Sequence, residues 1–169
     1  MMQSSASDFD EEKNPPRQLL SWRDVCIALD ELIAKTESTL DVFDKSLALQ
    51  DWGTRARCDA LKAVMMDRRV HVRMLIVDDK IVTGELPRLL QMLKSLGHQI
   101  SIVAAPEGTF PASNFVVADQ QHLLFRPNSV RSMGSLHFHN PYKSMVYSQS
   151  FEVLWQQGGQ RVFAEAFGL

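Results

Sequence analysis

The chain has 169 residues, 45% of them hydrophobic and 22% charged, and a formal net charge of −2. Those values fit one soluble globular domain with a tail and exclude disordered, collagen-like and disulfide-scaffold classes. The apolar runs, such as Met74, Leu75, Ile76 and Val77, fall far short of the roughly 20 residues that cross a bilayer, and the first eight residues carry no basic start or apolar run of a secretory signal, so no membrane span and a cytoplasmic location are expected.

Residues 1–20 are polar, hold Asp8, Asp10, Glu11 and Glu12, and include Pro15 and Pro16. They bury too little apolar area to offset their ordering entropy and read as a disordered acidic tail, with the folded domain spanning 21–169. Ser21 is placed to cap a helix, with Asp24 favouring its positive end, and Trp22, Val25, Cys26, Leu29, Leu32 and Ile33 form one apolar stripe. Leu40 to Asp44 reads as a strand, and a helix capped by Thr54 follows, with Cys58, Leu61, Val64 and Met65 on one face. Val70 to Val77 begins by alternating and turns wholly apolar, the pattern of a central strand covered on both faces. Leu86, Leu89, Leu90, Leu93 and Leu96 mark another helix, which Gly97 is placed to end in a left-handed cap, before a strand at Ile100 to Val103. Strand, helix, strand, helix, strand implies parallel strands joined by right-handed crossovers.

After Gly108 the pattern changes. Phe115 to Asp119 and His122 to Phe125 read as a hairpin, a further strand runs around Met133 to His139, and a helix carries Tyr147, Phe151, Leu154 and Trp155. A short apolar stripe, Val162, Phe163, Ala166 and Phe167, closes the chain. The fold class is α/β: a mixed, mostly parallel sheet with helices on both faces. Cys26 and Cys58 sit within helical faces, as reduced thiols do.

This order of elements, the helix ending Phe151-x-x-x-Trp155 and the strand Phe115-Val116-Val117-Ala118-Asp119 resemble one half of the phospholipase D-like superfamily over residues 22–157. The chain looks similar to bacterial phospholipase D-like domains that occur alone or beside acetyltransferase domains. In active members the motif runs His, any residue, Lys, four residues, Asp, six residues, Gly-Ser. The His attacks phosphorus, the Lys neutralises the phosphate and the Asp orients the imidazole. With Asp119 as the Asp, the nucleophile position falls on Ala112, the lysine position on Asn114, and the Gly-Ser pair on Arg126-Pro127. Alanine forms no covalent intermediate and asparagine carries no charge, so the resemblance implies a fold without its catalysis. Asp119 is then expected to serve as a turn residue at a strand end.

A looser alignment puts Gly134-Ser135 in the Gly-Ser position, with His137, His139 and Lys143 supplying new groups. His137 and His139 would share a strand face about 7 Å apart, and they read first as solvent-facing or structurally bonded histidines and second as an anion or ligand site with Lys143 and Arg126. Two histidines are too few ligands for zinc, and no cofactor or metal is expected. Arg68, Arg69 and Arg73, with Arg55, Arg57 and Lys62 on the preceding helix, form the densest basic region and read as a solvated helix end. His71 and His98 flank strands without evident partners. Asp78 and Asp79 follow the central strand, where α/β sheets place ligands.

The expected function is a non-catalytic phospholipase D-like module that binds a protein partner or a phosphate-containing ligand. The alternatives are a phosphodiester hydrolase with relocated histidines and a nucleic-acid adaptor using the arginine cluster. Active superfamily members join two halves about a pseudo-twofold axis, so the resemblance also implies a homodimer.

Overall fold

The structure is a computed structural model that describes residues 13–45, 47, 49–77, 79–106, 108 and 113–163. In chain order the elements are β1 (Arg17–Leu19), α1 (Trp22–Lys35), β2 (Thr39–Phe43), α2 (Arg55–Arg68), β3 (His71–Ile76), α3 (Asp79–Glu85), α4 (Pro87–Leu96), β4 (Ile100–Ala104), β5 (Asn114–Ala118), β6 (His122–Arg126), β7 (Gly134–His137), α5 (Pro141–Gln157) and β8 (Gln160–Arg161).

The strands form one mixed sheet in the order β1-β7-β6-β5-β2-β3-β4-β8. β3 pairs in parallel with β2 and β4, as the crossover pattern requires, and the other pairings are antiparallel. Side chains alternate between the faces. Leu40, Val42, Val72, Met74, Val116, Leu124 and Leu136 pack with Val25, Leu29, Leu61, Met65, Val82 and Leu89 of α1 to α4 in one core. Phe43, Leu75, Phe115, Val117 and Leu123 pack under Phe151 of α5 in a second, smaller core.

The local signals work where side chains act on their own neighbours. Ser21 Oγ accepts from Asp24 N–H and the Asp24 carboxylate accepts from Ser21 N–H, both at 3.1 Å, a reciprocal cap for α1. Thr54 caps α2. Three expectations need correction. The sheet is mixed but not mostly parallel, since among the described residues two of its seven pairings are parallel and five antiparallel. The left-handed cap placed at Gly97 is absent, since its φ is −60°; α2 instead ends in one, on Arg69 at φ 56°. Glycine suits position 97 for space, because a Cβ there would lie 2.6 Å from the Leu93 carbonyl oxygen. The tail does not run to residue 20: Arg17, Gln18 and Leu19 pair with Leu136, Ser135 and Gly134, and Leu19 is buried. The backbone edge of β7 supplies a partner that the tail's own composition does not advertise. Ala166 and Phe167 lie outside the described residues, as do Asp78 and the first twelve positions. No described helix is long and apolar enough to cross a membrane.

Candidate functional site

Because β5 and β6 run antiparallel, Asn114 and Arg126 are partners at one end of the sheet, beside Asp44, which directly follows β2. Alternation turns all three toward the face carrying α1. Asn114 Nδ2 donates to Asp44 Oδ1 at 2.7 Å, and Gln50 Nε2 donates to Asp44 Oδ2. Asp44, Gln50 and Asn114 are all buried. The position aligned with the catalytic lysine thus carries a neutral amide committed to an internal carboxylate. Ala112, in the nucleophile position, lies outside the described residues.

Arg126 is fully buried, its guanidinium 4.9 Å from the centroid of the Trp22 ring. Nη1 donates to the carbonyl oxygens of Ser129 (3.0 Å) and Arg131 (2.8 Å), whereas Nε and Nη2 have no hydrogen-bond partner among the described residues. Burial lowers its pKa, and the Asp44 charge opposes that effect. Gln50 Oε1 and Asn114 Oδ1 are likewise without partners among the described residues.

Asp119 lies at the opposite end. Its carboxylate accepts from the backbone N–H groups of Glu37 (2.9 Å), Ser38 (2.7 Å) and Thr39 (3.0 Å), and from the Ser38 hydroxyl (2.9 Å). Burial alone would raise its pKa, but these donors hold it below the usual carboxylate value. Asp119 and Gln120 both have positive φ, 55° and 57°, in the β5–β6 turn. All of this side chain's bonding serves the join between α1 and β2.

His137 and His139 do not share a face, which corrects the spacing argument. β7 ends at His137, whose parity with Ser135 directs it toward the α5 side. His139 lies beyond the strand with φ 52°, and its ring stands 4.7 Å from that of His122. Its backbone N–H donates to His122 Nδ1 at 3.0 Å. The chain must turn there because Asn140 caps α5, its Oδ1 accepting from Lys143 N–H at 3.1 Å. Gly134, Ser135, His137 and Lys143 do come together, lining a groove of about 370 Å3. His137 is 2% exposed, and its Nε2 lies 2.8 Å from Ser135 Oγ. Arg126, Asp119 and His139 lie outside this groove.

The predicted basic cluster is dispersed. Buried Arg57 pairs with Asp30 at 2.8 Å, Arg68 Nη1 donates to the carbonyl oxygens of Ala34 and Thr36, and Arg73 clasps Asp41. These arginines close loops and helix ends; Arg55, 82% exposed, matches the solvated reading. The Asp41–Arg73 pair was missed, though both residues interrupt apolar strands that the order of elements makes neighbours. Among the described residues, no group of three or more His, Cys, Asp or Glu could hold a metal ion. Cys26 and Cys58 are free thiols, and burial raises the pKa of both.

Comparison with known proteins agrees with this architecture. Nuc from Salmonella typhimurium, a phospholipase D family member, superposes with a TM-score of 0.62 at 14% identity, over 88% of this chain and 99% of that one. NucT from Helicobacter pylori gives 0.60 at 9% identity, over 86% and 98%. TrmBL2, an archaeal chromatin protein whose structure shows a novel mode of DNA binding, gives 0.66 at 9% identity over 85% of this chain. The chain spans about half of that protein, 53%. A search of curated proteins found no match. The fold is therefore phospholipase D-like, and, since a family model described as a domain of unknown function, DUF7931, matches residues 22–163, the chain belongs to that family.

Proposed function

We propose that this chain is a non-catalytic phospholipase D-like module that binds a phosphate-containing ligand without cleaving it. One observation carries the reading: Asn114 stands where the superfamily places its lysine, buried, neutral and tied to Asp44. A phosphoryl-transfer site needs fixed positive charge aimed at the developing phosphorane, and an amide engaged with a carboxylate supplies none. Ala112 removes the nucleophile as well.

Ligand binding is assigned to the groove of Ser135, His137 and Lys143, where an ammonium and an imidazole line one wall system. Hydrolysis of bis(p-nitrophenyl) phosphate tests the inert half of the reading. The expected outcome is no turnover above background. Turnover abolished by His137→Ala or His139→Ala would replace it with the relocated-histidine hydrolase. Titration with inorganic phosphate tests the binding half, with Lys143→Ala expected to weaken it.

We further infer that a second copy of the chain packs on the outer face of α5. Tyr142, Met145, Val146 and Val153 form an exposed apolar stripe there at helical spacing.

A further inference from the structure

A second groove, of about 530 Å3, opens at the end of the sheet opposite Asn114 and Arg126, where β2, β3 and β4 begin. It lies on the face that α5 covers only in part. Parallel strands covered on both faces read as near-continuous apolar runs. Here β3 and β4 break that rule: His71, Arg73 and Ser101 line the groove, while Val72, Met74, Ile100 and Ile102 face the main core.

The floor of the groove is held rigidly. Arg73 Nε and Nη2 donate to the two carboxylate oxygens of Asp41 at 2.9 and 3.1 Å, and Nη2 also reaches Glu152 at 2.9 Å. The guanidinium lies 5.0 Å from the Phe151 ring centroid and 5.3 Å from that of Trp155. Asp41 is 5% exposed, and burial pushes its carboxyl upward against the pull of Arg73. With Nε and Nη2 both engaged, the guanidinium is fixed against the two rings.

Charge on the walls is unbalanced. Arg73 is neutralised by Asp41 and Glu152, whereas Arg161, on β8, donates to Ser101 Oγ at 3.2 Å and has no carboxylate partner among the described residues. His71 and His98 add two imidazoles to the same lining, and Trp155 adds an aromatic ring. Cationic donors thus line the groove beside the Trp155 ring, which also stacks on Phe151 with centroids 5.7 Å apart and carries the Arg73 guanidinium, and against which a planar group can pack.

We propose that this groove is a binding site for a small ligand joining an oxyanion to a planar ring, with Arg161, Ser101 and the two imidazoles holding the oxyanion and Trp155 facing the ring. The site is separate from the Ser135–Lys143 groove, so either assignment can fail without the other.

Adenosine monophosphate, adenosine and inorganic phosphate serve as probes, titrated into the full chain by calorimetry and by amide chemical shifts. Adenosine monophosphate is expected to bind more tightly than either fragment and to move the amides of Ser101 and Arg161. Arg161→Ala weakens that binding by about tenfold or more, as loss of a charge-assisted contact does, and His98→Ala weakens it as well. Arg55→Ala, an exposed cation outside both proposed grooves, leaves it unchanged. Absence of binding at millimolar nucleotide, indifference to Arg161→Ala, or shifts centred on Ser135 and Lys143 would each overturn the assignment.

Discussion

The Asp119 carboxylate accepts four hydrogen bonds, three of them from successive backbone N–H groups that lead into β2. An anion cupped by such donors behaves as a fixed cap, and its loss leaves half-buried amides unsatisfied. Asp119→Ala is expected to cost about 2 kcal/mol of stability, discounted for partial exposure, and Asp119→Asn less, as measured by urea unfolding. The sign with pH follows from the lowered pKa. The unfolded chain takes up a proton near the ordinary carboxylate value of 3.8, the folded one only below it, so this contribution is whole above 3.8 and vanishes as pH falls through the lower folded value. A variant losing no stability at neutral pH would refute the capping role. Asn114 makes the companion point: its identity was legible in the sequence as a lost lysine, but its bond to Asp44 was not, because seventy positions separate the pair.

Elements with self-contained signals were legible, and elements defined by partners were not. The caps Ser21 and Thr54, the stripe of α1 and the alternation of the β5–β6 pair each depend on residues within a few positions. Strands of three and two residues, β1 and β8, carry too little pattern to be distinguished from loop and exist through pairing with β7 and β4. The same logic misplaced His139, whose position is set by its contact with His122 across the join between β7 and α5. His122 is buried and must stay neutral at Nδ1 to accept that N–H; burial first, and then the neighbouring His139, lower its pKa from 6.5. Below about 6.5 the unfolded chain binds the proton and the folded one resists, so stability falls as pH drops from 6.5 toward the lower folded value. Urea midpoints at pH 7 and 5 should show this decline, and His122→Gln should flatten it; an equal decline in the variant would exclude His122 as its source. At the end of α4, Gly97→Ala puts a Cβ 2.6 Å from the Leu93 carbonyl oxygen, so a loss of about 1–2 kcal/mol is expected. A gain in stability, as unfolded-state entropy alone would give, would show that the helix end yields without strain.

At the scale of the whole molecule, the two faces of the sheet are treated unequally: among the described residues, four helices pack on one face, while α5 covers part of the other. That helix is apolar on two sides, since Phe151 is buried against the sheet while Tyr142, Met145, Val146 and Val153 are 55%, 53%, 60% and 59% exposed. Their spacing of three, one and seven residues puts them in one stripe. Four half-exposed side chains make a patch of a few hundred Å2, about half of what each partner of a standard interface contributes. The flanks of α5 and the sheet beside it would supply the rest. A second copy fits this geometry because an isologous contact lets the stripe cover itself about a twofold axis. Light scattering over a range of concentrations should therefore give twice the chain mass, 38.4 kDa from 2 × 19.2 kDa. Val146→Glu, which buries a charge at the contact but leaves the monomer's cores untouched, should shift the mass to that of one chain without lowering the unfolding temperature of the monomer. One chain mass for the native protein at every concentration, or a dimer indifferent to Val146→Glu, would remove α5 from the interface.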